Sequence, residues 1–223
     1  LTYSDVGAAN AGANTNVTSM SGLTGGIATP EYIDFDTSNS VARATGRLWW
    51  DNSDGIQTLN LGMAGSNATM QIGEEMYFRI KCSSAITEGQ VVMFTGSVGA
   101  SGVATGAPAT GVADGSYIMG IAAETLAHND FGLVQYNGVL RGLDTSAYTD
   151  GAILWYNPAV TGGLTSTKPT APNVKVQMAA VVNAGNGGSG SIQIRVNPGS
   201  VLGGTDSNVQ FGTLNNLDVI QYN

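Results

Sequence analysis

Charged residues are scarce in this sequence, and basic residues are the scarcest. Only 11% of the 223 residues are charged, whereas ~25% is usual for soluble domains. The 8 Lys and Arg residues form no run and are outnumbered by 16 Asp and Glu, which gives a net charge of −8. A nucleic-acid partner requires a cationic face that displaces counterions from phosphates. We therefore expect no nucleic-acid binding. We also expect no membrane insertion, because no apolar run reaches the ~18 residues of a transmembrane helix.

Cysteine and histidine occur once each, which narrows the possible chemistry. Cys82 has no intrachain disulfide partner, and its alternating neighbourhood predicts a small buried residue. His128 lies in the polar segment ETLAHNDFG, and no GxSxG motif supplies a serine nucleophile, so we predict a surface histidine. No His and Cys cluster could hold a structural zinc. The prediction is a non-enzyme with no catalytic residue, cofactor or metal ligand. A calcium ion shared by several chains on a three-fold axis is left open.

Acidic pairs are the remaining candidates for catalysis. Four pairs are close enough in the sequence to suggest a glycoside hydrolase: Asp34 with Asp36, Asp51 with Asp54, Glu74 with Glu75, and Asp144 with Asp150. Such an enzyme needs two carboxyl groups held ~5–9 Å apart across a cleft, and no sequence pattern marks a cleft here. We predict that these residues are solvated or stabilise turns, because Asp side chains bond readily to nearby backbone.

Short strands separated by glycine-rich turns account for most of the chain. Glycine, at 32 residues, interrupts almost every window long enough for a helix, whereas alternating apolar runs are frequent. The predicted strands are 91–95, 132–136, 139–143, 153–156, 174–182 and 191–196. Asn137-Gly138 is the strongest local turn signal and predicts a two-residue hairpin that reverses FGLVQY into VLRGLD. The predicted fold class is all-β, a barrel or a sandwich.

Composition divides the chain into three segments. Residues 1–45 are small and polar and could not bury enough surface to fold alone, so we predict an extended arm or shaft-like linker that wraps around neighbouring chains. Residues 46–198 form the predicted β domain, a hairpin followed by the barrel or sandwich. Residues 199–223 are predicted to be a linker that ends in a short apolar repeat.

Two loops and three aromatic pairs are the candidate contact surfaces. The glycine-rich stretches 96–111 and 183–190 are predicted to be long hairpin tips, where recognition residues concentrate on rigid scaffolds. The candidate contact residues are Ser97, Gly99, Ser101, Gly102, Asn186 and Ser189. Neighbours along a strand point to opposite faces, so one member of each aromatic pair is expected in the core and the other against solvent or a partner subunit. The pairs are Trp49-Trp50, Tyr77-Phe78 and Trp155-Tyr156.

The stretch GRLWWDNSDGIQTLNL (46–61) places two tryptophans beside two aspartates. Aromatic platforms and carboxylates could serve a sugar or a metal, but the glycine of DNSDG is the fifth residue and no glutamate stands at position twelve, as a calcium loop requires. Asp and Asn side chains and Gly55 favour a turn instead. We predict a hairpin whose tryptophans pack rather than bind a ligand, with one of them at a subunit seam.

The order of several segments resembles a module of tailed-bacteriophage tail fibres and related virion appendages. In chain order they are GRLWWDNSDG, then MQIGEEMYFRIKCSSAITEGQVVMF, then a block with a GLDTSA turn, a GGLT turn and a PTAP-like loop, then GSIQIRVNPG. The resemblance extends over essentially the whole chain and is most specific at residues 143–172. The first 24 residues resemble a repeat that links shaft segments, and residues 212–223 resemble a repeat that follows the module.

The resemblance implies a homotrimer located in the virion, with no shared catalytic residues. The expected function is to space the fibre and to present loops for attachment to the host surface. The expected partners are other virion proteins and a bacterial surface glycan or outer-membrane protein. A capsid decoration (cement) protein that stabilises the phage head is the alternative, and a capsular depolymerase is a third hypothesis. Because the sequence begins at Leu1 and has no anchoring domain or distal tip, we expect it to be a fragment of a longer fibre.

Overall fold

A computed structural model of the chain describes residues 32–38, 41–53, 57–65, 68–99 and 102–198. The backbone divides into two units, Leu1–Asp36 and Thr37–Asn223, and all the described strands belong to the second. The predicted arm (1–45) is described only at 32–38 and 41–45, and the predicted C-terminal linker (199–223) lies outside the described residues.

The described part of the second unit is all-β, as the sequence predicts. Its strands are β1 (Leu48–Asp51), β2 (Thr58–Gly62), β3 (Thr69–Gln71), β4 (Met76–Cys82), β5 (Val91–Val98), β6 (Val103–Pro108), β7 (Ile118–Ala122), β8 (Phe131–Leu143), β9 (Ile153–Asn157), β10 (Gly163–Thr165), β11 (Gln177–Asn183) and β12 (Gly190–Asn197). They form a three-stranded sheet in the order β1-β2-β3 and a nine-stranded sheet in the order β10-β9-β11-β12-β8-β4-β6-β5-β7.

Five strands of the larger sheet close into a barrel. Strands β8, β4, β6, β5 and β7 are neighbours in that order, and a further pairing of β7 with β8 closes the ring. The β4–β6 pair is parallel, with Ile80 opposite Ala104, whereas the other pairs of the ring are antiparallel. Closure leaves these strands without free edges, and the barrel form of the fold prediction is confirmed.

Two hydrophobic cores lie on opposite sides of the barrel wall. Ile80, Cys82 and Ile86 belong to a small core that also contains one residue from each of three wall strands. On each of those three strands, the preceding residue in the sequence belongs instead to a larger core, which is shared with β9, β11 and β12. The pairs, with the residue of the larger core first, are Val91 and Val92, Ile121 and Ala122, and Leu133 and Val134. Because successive side chains on a strand point to opposite faces, the wall serves as a boundary of both cores.

The predicted hairpin at Asn137-Gly138 is wrong. Both halves belong to the single 13-residue strand β8, whose first half pairs with β4 and whose second half pairs with β12. Gly138 has a φ of +106°, and a Cβ added there would lie 2.6 Å from the Cγ of Glu75 and 2.8 Å from the carbonyl oxygen of Glu74. The glycine therefore permits close passage of β8 past the residues before β4. Long-range pairing of both halves overrides the local turn preference.

Candidate functional site: a polar cleft and two hairpin tips

Strands β1 and β2 pair as predicted for the hairpin around the WWDNSDG stretch. Strands β1 and β2 pair antiparallel from Leu48 opposite Leu61 to Asp51 opposite Thr58. The Oδ1 atom of Asp51 accepts a hydrogen bond of 2.9 Å from the backbone N–H of Ser53. This is the turn-stabilising bond expected of an aspartate side chain. Residues 54–56, including the other aspartate and the glycine of the motif, lie outside the described residues.

The three-stranded sheet has an inverted polarity. Trp49 lies opposite Asn60, and Asn60 lies opposite Gln71, so these three residues form one row across the sheet. Their exposed fractions are 6%, 2% and 5%. The buried face of this sheet is therefore largely polar. Alternation in TLNLG separates a polar face from an apolar face, and the structure buries the polar one, whereas sheets with one solvated face usually turn their polar side outward.

The opposite face of the same sheet is apolar and partly exposed. It carries two rows of side chains: Leu48, Leu61 and Met70, and Trp50, Leu59 and Ile72. Leu48 is 43% exposed and Ile72 is 41% exposed, and the other four are half-buried. No charged residue interrupts these two rows. Contiguous apolar patches of this kind mark interaction surfaces more often than isolated exposed leucines do.

A cleft of about 500 Å³ lies between the polar face of the three-stranded sheet and the larger sheet. Its lining residues are Val41, Arg43, Trp49, Asp51, Asn60, Ala68, Thr69, Gln71, Glu75, Tyr77, Glu88, Ala123, Val139, Leu140, Arg141 and Gly142. The Arg43 guanidinium donates hydrogen bonds to the carbonyl oxygens of Met63 (2.6 Å) and Ala68 (3.0 Å). These bonds hold the β2–β3 turn in place at one end of the cleft.

Glu75 is buried in this cleft, which corrects the prediction that it is solvated or in a turn. It is 6% exposed. Its Oε2 atom accepts hydrogen bonds of 2.9 Å from the backbone N–H of Gln71 and from the hydroxyl of Tyr77, and its Oε1 atom lies 3.7 Å from the Arg141 guanidinium. Burial raises the pKa of Glu75 above its ordinary value, against the opposing effect of these hydrogen bonds and of Arg141. Burial, together with the Glu75 carboxylate, also raises the pKa of Tyr77.

Two buried amide oxygens of the cleft have no hydrogen-bond partner. They are Oδ1 of Asn60 and Oε1 of Gln71. The orientation of the Asn60 amide is fixed because its Nδ2 atom donates to Oδ2 of Asp51 at 3.2 Å, and an ionised carboxylate can only accept. The Oδ1 atom of Asn60 is therefore a genuine acceptor. Buried polar groups without a partner are uncommon in folded proteins, and these two lie on neighbouring strands in one row.

The described members of the predicted contact set lie at or beside the tips of two separate hairpins. Gly99 and Gly102 are in the β5–β6 connection, Ser97 is the second-to-last residue of β5, and all three are exposed. Ser101 lies outside the described residues. Asn186 and Ser189 are exposed in the β11–β12 connection. Both glycine-rich stretches are therefore hairpins, although much of 96–111 belongs to the strands themselves.

The β11–β12 tip is held by Thr145 of the GLDTSA segment and by Asp150, which follows that segment. Thr145 is 2% exposed; its hydroxyl donates to the carbonyl oxygen of Asn183 at 2.7 Å and accepts from the N–H of Gly185 at 2.9 Å. Asp150 accepts from the N–H of Ala184 at 2.6 Å. Within the tip, the Ser189 hydroxyl donates to the carbonyl oxygen of Asn186 at 2.8 Å. The segment thus has a structural explanation, because it fixes the base of a surface loop.

The cysteine, the histidine and two of the paired aspartates have the environments that the sequence predicts. Cys82 is 1% exposed, and burial raises the pKa of its thiol to about 11. His128 is exposed, and its Nδ1 atom lies 2.9 Å from the carbonyl oxygen of Ser83. Asp144 accepts from the N–H and the hydroxyl of Ser146, and these bonds lower the pKa of Asp144. Asp144 and Asp150 therefore stabilise turns, as predicted.

The aromatic pairs divide between core and surface. Trp49 is buried beside half-buried Trp50, and Tyr156 is fully buried beside half-buried Trp155. Phe78 is 44% exposed and stacks on Tyr136 with a centroid separation of 4.5 Å, whereas its neighbour Tyr77 is half-buried. The expectation of one inner and one outer ring is confirmed for the two tryptophan-containing pairs.

In the part of the chain that the structure describes, no three His, Cys, Asp or Glu side chains are grouped to hold a metal ion. No described helix has the length and the apolar character needed to cross a bilayer. Comparison of the chain with family models, with curated proteins and with solved structures finds no match.

Proposed function

We propose that this chain is a structural module of a virion appendage, a tail fibre domain that assembles as a homotrimer. It spaces the fibre and presents loops to the host surface, and it makes or breaks no bond. Its partners are other virion proteins and a bacterial surface glycan or outer-membrane protein. The order of the segments quoted above is the reason for placing the module in a tail fibre.

The observation that carries the proposal is the outward apolar face of the β1–β3 sheet. Six apolar side chains without an interposed charge are costly to leave in water. Packing against the same face of other copies would bury them, and Trp50 lies within this face, where the subunit seam is expected. The low charge of the whole chain favours association, because few charged groups have to be desolvated.

Loop presentation is supported by the β11–β12 tip. Its base is fixed by buried Thr145 and by Asp150, whereas Asn186 and Ser189 at the tip are exposed. A tip whose base is already ordered loses less conformational entropy when it binds a partner. A rigid barrel that carries such a tip suits adhesion.

Assembly is tested by light scattering on the purified chain. We expect a mass of about 68 kDa, three times the 22.7 kDa of one chain. Leu48→Lys places a charge in the proposed seam at a position that is already 43% exposed, and we expect it to give monomers that remain folded. Val160→Lys is the matched control, because Val160 is an exposed apolar residue (54%) in the β9–β10 turn. A monomeric parent chain, or equal effects of the two variants, would contradict the proposed seam.

The place in the virion is tested with a labelled antibody in electron microscopy. Labelling of the fibres is the expected result. Labelling of the capsid shell would reject the tail fibre and support the decoration protein, which is also expected to be a trimer. Release of reducing ends from host capsular polysaccharide by the purified chain would reject the non-enzymatic role.

A further inference from the structure

We propose that the cleft between the β1–β3 sheet and the larger sheet binds an uncharged, hydroxyl-rich saccharide. This inference adds a specific ligand to the proposed attachment role. It rests on that role only for the biological source of the saccharide, the host surface. It moves the glycan contact from the hairpin tips to the row Trp49, Asn60 and Gln71.

The polarity of the three-stranded sheet is the first reason. A sheet that served only to cover the barrel would turn its apolar face inward, because burial of apolar surface is the main favourable contribution to packing. Here the polar face is inward and the apolar face is outward. The polar face borders a space of about 500 Å³, within the ~300–1,000 Å³ range of small-molecule sites. This arrangement is unfavourable for packing alone and suitable for holding a polar ligand.

The hydrogen-bond capacity of the row identifies the chemistry of that ligand. Oδ1 of Asn60 and Oε1 of Gln71 are acceptors that lack a donor, and the two residues are cross-strand partners. Sugar hydroxyls supply donors, and adjacent hydroxyls on one ring can serve two neighbouring acceptors. Both oxygens are covered in the free protein, and Asp51 holds the Asn60 amide in place. Saccharide binding therefore requires the Gln71 side chain to rotate, so that Oε1 of Gln71 turns toward the cleft and Oδ1 of Asn60 is uncovered. Rotation of a terminal amide is a small change, since this torsion has a broad energy minimum.

The charged groups of the cleft favour a neutral ligand over an ion. Three carboxylates (Asp51, Glu75 and Glu88) face two guanidinium groups (Arg43 and Arg141), so the charges nearly cancel. Both oxygens of Asp51 already accept hydrogen bonds, and Glu75 accepts two and lies beside Arg141. Asp51 and Glu75 are therefore poorly placed to bind a cation. The apolar residues Trp49 and Val139 supply wall surface for the C–H faces of a sugar ring.

The test uses the full chain and an array of neutral oligosaccharides built from hexoses and N-acetylhexosamines. Sialylated oligosaccharides and calcium chloride alone serve as charged probes. We expect at least one neutral oligosaccharide to bind, with an affinity measured by calorimetry. Gln71→Met keeps the shape of the side chain and removes the acceptor. It should weaken binding by about tenfold or more while leaving the urea midpoint unchanged or higher, because a buried unpaired oxygen is removed.

Gln135→Met is the matched control. Gln135 is a fully buried glutamine (0% exposed) whose Oε1 atom also lacks a partner, but it does not line the cleft. Its variant should bind the saccharide with unchanged affinity. Val139→Phe is a second variant: it fills the cleft from a half-buried position and should abolish binding in a folded protein.

Three results would overturn the inference: no neutral oligosaccharide binds, Gln71→Met and Val139→Phe bind like the parent chain, or only calcium or sialylated probes bind. These results are separable from failure of the proposed function. Saccharide binding in the cleft together with antibody labelling of the capsid shell would keep the cleft and reject the tail fibre. Fibre labelling with no saccharide binding would keep the tail fibre and reject the cleft as a saccharide site.

Discussion

Replacement of Gly138 by alanine tests the course of β8 directly. At a φ of +106°, an L side chain costs about 1–3 kcal/mol in backbone strain. The added Cβ would also lie 2.6 Å from the Cγ of Glu75, 2.8 Å from the carbonyl oxygen of Glu74 and 2.9 Å from the Cα of Glu75. Two of these three atoms are backbone and cannot swing away, so overpacking adds about 1–3 kcal/mol. We expect Gly138→Ala to lower the free energy of unfolding by about 2–6 kcal/mol.

Gly142, four residues further along the same strand, is the matched control. Its φ is +86°, but a Cβ added there meets no atom within 4 Å. Gly142→Ala therefore carries the backbone strain alone, about 1–3 kcal/mol. The difference between the two variants isolates the close approach of β8 to the residues before β4. Urea unfolding followed by tryptophan fluorescence gives both values under two-state conditions. A Gly138→Ala cost no larger than that of Gly142→Ala would refute the close approach and return Asn137-Gly138 to an exposed hairpin turn.

Two further predictions concern titratable side chains. Because the pKa of Glu75 is raised above its ordinary 4.5, the folded state binds its proton more tightly than the unfolded state does. Its contribution to stability is therefore greatest below pH 4.5 and is lost as the pH rises through the folded pKa. Glu75→Gln, compared with the parent chain by urea midpoint across this window, should flatten that part of the pH profile; an unchanged slope would contradict the burial of a titrating carboxyl. The pKa of the Cys82 thiol is raised to about 11, so Cys82 should resist a disulfide reagent at neutral pH in the native protein and react fully in denaturant. Rapid reaction of the native protein would contradict this prediction and show that the barrel interior is open to the reagent.

The strands were predictable from the sequence because their signal is local. Alternation at 91–95 and 191–196 places those residues in β5 and β12, and the turn chemistry of Asp51 closes the β1–β2 hairpin. Barrel closure was not predictable, since the parallel β4–β6 pair and the β7–β8 pair join residues that share no local pattern. The prediction at Asn137-Gly138 failed because β4 and β12, which pair with the two halves of β8, are both distant from it in the sequence.

The cleft was missed because its polarity is reversed with respect to the usual rule. Alternation marks Asn60 and Gln71 as members of one face, but only the packing of the three-stranded sheet against the larger sheet shows that this face is buried. The sequence predicts a solvated or turn role for Glu75 because no residue near it in the sequence indicates contact with the Arg141 guanidinium, which is 66 residues away. Sequence periodicity separates the two faces of a strand, and tertiary packing decides which of them is inside.

The two-part pairing of β8 has a consequence for synthesis of the chain. A ribosome-bound chain that has emerged through residue 137 possesses every strand of the barrel, so the ring can close at that stage. The second half of β8 then remains a strand edge without its partner until β12 (Gly190–Asn197) emerges about 50 residues later. At typical synthesis rates of ~5–20 residues per second this edge is open for several seconds. Translational pausing after β8 would lengthen its exposure and favour pairing with neighbouring nascent chains.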